Sequence, residues 1–178
     1  MDLFGLGIAI FYFLIISKSY EWICKINRKE QIVFFCYTCI SVFILEEIIT
    51  LVFSNSFALS KFLFPLVVYL YLRKLKKSEK YKAIFISLLL SLLYHSTHTF
   101  ISVTLSSIIG DEVVLHYKST FLLVVLLMTY FSILIIIRYF HLDIKYFDKD
   151  YLYPFLKKVI VAFFGLHILL FISDIVST

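Results

Sequence analysis

Residues 73–82 read RKLKKSEKYK, and this basic segment lies between two long apolar stretches. It holds six of the 17 basic residues of the chain. Working outward, basic residues recur in every second gap between apolar stretches: residues 18–29 hold four and residues 138–158 hold five. Only Lys61 and Lys118 fall in the alternate gaps. Because basic loops stay on the cytoplasmic side of a membrane, this pattern predicts a polytopic membrane protein whose N-terminus lies outside.

Composition supports the same class of protein. Apolar residues make up 62% of the 178 residues, and a membrane span needs about 20 of them. Only helices satisfy all backbone groups within one apolar segment, so we expect an all-α bundle of six transmembrane helices that forms one multi-pass sensor domain over residues 1–178. The predicted spans cover residues 3–17, 32–53, 57–72, 83–109, 120–140 and 159–176. Such a chain has no room for a soluble catalytic domain, and its net charge of +5 does not indicate a nucleic-acid partner.

On the predicted outer side six acidic residues outnumber two basic ones, which gives a net charge of −4, whereas the inner side carries +9. A carboxylate at mid-bilayer costs about 2.5–3.5 kcal/mol, so Glu46 and Glu47 must face water, meet a cation or be protonated. The functional interpretation is an outward-facing acidic site for a cationic ligand; the alternative is that both reach the headgroups or that one pairs with Lys61. The predicted peptide-binding residues are Asp2, Glu46, Glu47, Asp111 and Glu112.

A polar stripe is predicted on the fourth span. Ser91, His95, His98 and Ser102 recur every three or four residues, which places them on one helix face. Such a face turns towards the bundle interior and forms interhelical hydrogen bonds, either as a structural seam or as an element that shifts on signalling. Two histidines without a third ligand do not predict a metal site, and no cofactor is expected.

Two enzymatic interpretations are weaker. Intramembrane CAAX-type proteases use a Glu–Glu pair and histidines on other spans; this chain has Glu46, Glu47, His95 and His98 but has Leu51 where those proteases have an arginine. The pair Cys36 and Cys39 has the spacing of a redox motif but lies within an apolar helix, where packing is the better interpretation. A small immunity or transporter-like membrane protein is a further alternative.

Several segments resemble the N-terminal membrane part of streptococcal competence-peptide receptor histidine kinases, the ComD type. The segments that carry the resemblance are MDLFGLG (1–7), FLIISKSY (13–20), INRKE (26–30), KFLFPL (61–66), SLLLSLLYHSTHTFISVTLSSIIGD (87–111), YFDKDYLYPFLKK (146–158) and SDIVST (173–178). Residues 42–59 resemble those receptors less, which would suit a region that distinguishes peptide variants.

The resemblance implies a quorum-sensing, two-component receptor for a secreted, cationic, amphipathic peptide. In that family a cytoplasmic kinase region phosphorylates a response regulator and switches on competence. The sequence contains none of the kinase motifs, neither the phospho-accepting histidine box nor the ATP-binding boxes. We therefore expect a non-catalytic sensor portion, truncated before its last crossing, that cannot signal by itself. Expected partners are the peptide, the lipid bilayer, and a second copy or an intact receptor as a dimer.

Overall fold

The computed structural model describes residues 3–52, 57–140, 142, 154, 157–162, 165 and 168. These residues are helical apart from short connections, and no strand occurs among them. The elements are α1 (Leu3–Cys24), α2 (Arg28–Val52), α3 (Phe57–Leu70), a π-helical segment (Tyr71–Leu75), α4 (Lys80–Ile109), α5 (Asp111–His116) and α6 (Lys118–Tyr139). The predicted all-α class is confirmed.

Four of these helices are long and apolar enough to cross a membrane, and they correspond to four of the six predicted spans. The qualifying segments are Leu6–Cys24, Arg28–Ile48, Lys80–Ile109 and Lys118–Tyr139. The first span was predicted to end at residue 17, but α1 continues to Cys24. Within the extension the Ser19 hydroxyl donates to the Ile15 carbonyl at 2.8 Å, and Lys18 pairs with Glu21 at 2.6 Å.

The other two predicted spans have a different outcome. α3, with 14 residues, is not among the four qualifying helices, but the π-helical segment continues it without a break to Leu75, so the two together cover the predicted span 57–72. The helix runs through Pro65. The predicted span 159–176 lies largely outside the described residues, although residues 159–162, 165 and 168 are helical.

The helices form a closed ring. Each of α1, α2, α3 and α4 packs against the next, α4 packs against α6, and α6 returns to α1. The short α5 bridges α4 and α6. The centre of the ring is apolar and aromatic, with Phe34, Phe64, Val68, Tyr71 and Ile133 almost completely buried.

Three basic segments that are distant in sequence meet at one end of this ring. Glu30, in the first turn of α2, binds Lys76 after the π-helical segment at 2.6 Å. Lys157 lies 5.3 Å from the centre of the Tyr81 ring, at the start of α4. We call residues 25–30, 73–82 and 157–158 the basic end. The opposite end, with Glu46, Glu47 and residues 110–118, is called the acidic end.

Candidate functional site

Glu46 and Glu47 lie in the second half of α2, towards the acidic end. The Glu47 side chain is exposed, whereas Glu46 is half-buried and close enough to Tyr12 on α1 for the two groups to interact electrostatically. The two carboxylates therefore face different surroundings, although they are neighbours in sequence. Glu47 is available to a cation from outside the bundle, and Glu46 belongs to the contact between α1 and α2.

The other predicted acids lie beyond α4. Gly110 ends α4 with a φ of 91°, a conformation that glycine adopts far more readily than any residue with a side chain, and α5 begins directly after it. Glu112 is exposed on α5. The backbone of Asp111 lies in α5, but its side chain and the whole of Asp2 lie outside what the structure describes. The proposed grouping of all five acids stays a prediction.

An apolar cavity of about 150 Å³ lies at the acidic end. Its walls come from the end of α4, from α5 and from the start of α6, and they are formed by Leu105, Ile109, Val113, Val114, Tyr117, Thr120, Phe121 and Val124. The cavity is half open to the surroundings. Apolar walls of this kind suit the apolar face of an amphipathic segment, and exposed Glu112 directly precedes the lining residue Val113 in sequence.

The predicted polar stripe on α4 packs against aromatic side chains. Ser91 is completely buried, and His95, His98 and Ser102 are half-buried. The Tyr94 ring stacks on His98 with a centroid distance of 5.4 Å and an interplanar angle of 12°. Tyr12 on α1 contacts Tyr94 at 4.4 Å and lies 6.5 Å from the His95 ring. The stripe thus borders the contact of α1 with α4, and its role in signalling stays a prediction.

A second polar and aromatic cluster, at the basic end, was not predicted from the sequence. The Glu30 carboxylate accepts from Lys76 Nζ at 2.6 Å and from the Tyr20 hydroxyl at 3.4 Å. The Tyr20 and Phe34 rings stack at 4.2 Å, and Tyr71 packs edge-on against Phe34 at 5.1 Å. This cluster, which we call the aromatic latch, joins α1, α2 and the π-helical segment.

Local chain geometry positions both halves of the ion pair in the aromatic latch. Asn27 precedes α2, and its side-chain oxygen accepts from the Glu30 amide at 2.9 Å, which is half of a capping box. On the other side, the Lys76 amide donates to the Tyr71 carbonyl at 3.2 Å with π-helical spacing. The Asn27-x-x-Glu30 spacing was a signal that could have marked Glu30 as structural.

Neither the cysteines nor the histidines form a recognisable metal centre in the part of the chain that is described. No group of three His, Cys, Asp or Glu side chains suited to a metal ion occurs there. None of Cys24, Cys36 and Cys39 is in a disulfide; Cys36 is exposed and Cys39 is half-buried on α2. Cys39 packs against the apolar core, whereas exposed Cys36 does not, so the interpretation of the pair as packing residues holds only for Cys39.

Comparison with known proteins adds no further constraint: no family model matches the chain, and no curated protein or solved structure matches it either.

Proposed function

We propose that the chain is the membrane sensor part of a peptide-pheromone receptor of the two-component histidine kinase class. The proposal takes the chain as a multi-pass protein of the cell membrane with six spans and its N-terminus outside. The observation that carries it is the separation of charge in the bundle, with exposed acids at one end and most cations at the other. The resemblance to competence-peptide receptors supports the same function.

In this proposal a secreted cationic peptide binds at the acidic end as an amphipathic helix. Its basic residues face Glu47 and Glu112 in the described residues, together with Asp2 and Asp111. Its apolar face enters the cavity between α4, α5 and α6, which is the helix-in-groove mode of recognition. Long-range attraction between a cationic peptide and an acidic surface also raises the association rate.

Binding can act on signalling only by favouring one arrangement of the helices over another. The contact of Tyr12 with Tyr94 and His95 lies between α1 and the helix that lines the cavity. A peptide that displaces the end of α4 would therefore change this aromatic contact, because both lie on the same helix. The phosphoryl transfer itself would belong to a cytoplasmic kinase region, with the sensor acting as a dimer.

The test is binding of a labelled cationic amphipathic peptide to membranes with and without the protein. The double variant Glu47→Gln and Glu112→Gln should weaken binding about two- to thirtyfold, because each exposed ion pair contributes about 0.2–1 kcal/mol. The matched control is Glu21→Gln, which removes an acid that pairs with Lys18 at the basic end of α1. Equal binding to membranes that lack the protein would contradict the receptor proposal.

One contact favours a second candidate, an intramembrane protease. Tyr12 lies near both Glu46 and His95, so a glutamate and a histidine from different helices approach the same side chain. In this candidate Glu46 activates the attacking water and its replacement by Gln abolishes cleavage of a membrane-anchored peptide. The receptor proposal expects no cleavage by the wild type or by the Glu46→Gln variant. A cleavage product that forms only with Glu46 present would therefore favour the protease over the receptor.

A further inference from the structure

The cations of the basic end are not all used in the same way. Lys18 and Lys76 are neutralised by Glu21 and Glu30, each at 2.6 Å. Five other basic side chains are exposed and have no ion-pair partner among the described residues: Arg28, Lys29, Lys74, Lys77 and Lys80. The basic end therefore presents a surplus of uncompensated positive charge.

These cations border an exposed apolar surface. Ile32 and Val33 lie one helical turn beyond Arg28 and Lys29 on α2, and about half of each side chain is exposed. Leu75 is similarly exposed next to Lys74. Side chains of this kind face lipid tails in a membrane, so the adjacent cations lie at the depth of the phosphate groups.

The aromatic latch brings the two groups of cations to the same surface. Glu30 immediately follows Arg28 and Lys29, and Lys76 lies between Lys74 and Lys77. The ion pair of Glu30 with Lys76 therefore fixes the start of α2 beside the connection that leads into α4. This ion pair adds to the contact of Phe34 with Tyr71, so a polar and an aromatic contact join α2 to the π-helical segment at this end of the bundle.

We propose that the basic end is a binding surface for the phosphate groups of anionic lipid headgroups. Cations that lie next to an exposed apolar surface favour a lipid over a soluble acidic partner. A lipid offers a phosphate group to the cations and an acyl chain to the apolar side chains at the same time. The inference goes beyond the proposed receptor function, since it needs neither the peptide nor the acidic end. Each cation close to a lipid phosphate should raise the preference for an anionic over a zwitterionic lipid on the order of fivefold.

Trp22 provides the measurement, because it is the single tryptophan of the chain and lies near the end of α1, half-buried beside Tyr130. Brominated phosphatidylglycerol and brominated phosphatidylcholine quench tryptophan fluorescence on contact. We expect quenching to show that the full chain in mixed micelles binds the anionic phosphatidylglycerol several-fold more strongly than phosphatidylcholine. This preference should fall as salt is raised, since the screening length is about 3 Å at 1 M.

The triple variant Lys74→Gln, Lys77→Gln and Lys80→Gln should lose most of the preference for the anionic lipid. The control is Lys118→Gln, which removes a cation at the acidic end and should leave the preference unchanged. If the triple variant loses its helical circular dichroism, the double variant Arg28→Gln and Lys29→Gln, at exposed positions of another helix, takes its place. Equal quenching of the wild type by both lipids, or an equal effect of Lys118→Gln, would overturn the proposal.

Discussion

The two ends of the bundle differ in how their side chains are held. At the basic end, Tyr20, Phe34 and Tyr71 are at most 3% exposed and an ion pair joins two helices. At the acidic end, the last turns of α4 project apolar side chains outward: Phe100 is 73% exposed and Ile108 is 75% exposed. A bundle that is tightly packed at one end and open at the other can adapt to a ligand at the open end while its opposite end keeps its shape.

The largest expected difference between the ends concerns their aromatic residues. Phe34→Ala removes a completely buried ring that packs against Tyr20 and Tyr71, so it should lower the free energy of unfolding by about 3–5 kcal/mol. Phe100→Ala removes an exposed ring and should change the same quantity by no more than about 0.5 kcal/mol. Thermal unfolding of the detergent-solubilised protein measures both. Similar losses for the two variants would show that the ends are packed alike.

A smaller effect is expected from the ion pair of the aromatic latch. Glu30→Gln removes the charge of a half-buried carboxylate that pairs with Lys76, which should cost about 1–2 kcal/mol of the free energy of unfolding. The control Glu21→Gln breaks a pair within one helix turn and should cost only about 0.3–0.5 kcal/mol.

A double-mutant cycle isolates this contribution. When Lys76 has already been replaced by Gln, the additional cost of Glu30→Gln should shrink, because the interaction no longer exists. Additive losses would mean that the two residues stabilise the basic end independently and that the ion pair does not join α2 to the π-helical segment.

Effects of similar or smaller size concern positive φ angles, which the two ends accommodate differently. At the acidic end Gly110 has a φ of 91°, so Gly110→Ala should destabilise the protein by about 1–2 kcal/mol, although no neighbouring atom would contact the new methyl group. At the basic end Lys77 has a φ of 51°, and Lys77→Gly should stabilise it by about 0.5 kcal/mol. Unfolding midpoints should therefore shift in opposite directions; a shift of the same sign would show that backbone strain does not decide either position.

The long apolar segments made α1, α2, α4 and α6 predictable, because a membrane span is a local property of composition. The π-helical segment at Tyr71–Leu75 was not predictable, since its sequence, YLRKL, is compatible with an ordinary helix and its hydrogen bonds depend on how the chain turns at Lys77. The prediction for residues 57–72 treated α3 and this segment as one uniform span for the same reason.

The candidate sites show the same division between local and distant information. The helical spacing of Ser91, His95 and His98 predicts a shared face of α4, and the acids of α2 and α5 could be found from their isolation in apolar surroundings. The pairing of Glu30 with Lys76 could not be predicted from the sequence, because residues so distant in sequence meet only after the ring has formed. Likewise, no pattern in the sequence distinguishes half-buried Glu46 from exposed Glu47; the rotation of α2 against α1 decides it.

The closed ring has a consequence for biogenesis. A ribosome releases the helices in order, so α1 can dock with α2, α2 with α3 and α3 with α4 while synthesis continues. The flank of α1 that finally contacts α6 has to wait until almost 140 residues have been made. Until then, this flank and the free side of α4 are the natural places for an insertase or a quality-control protease to recognise an unfinished chain.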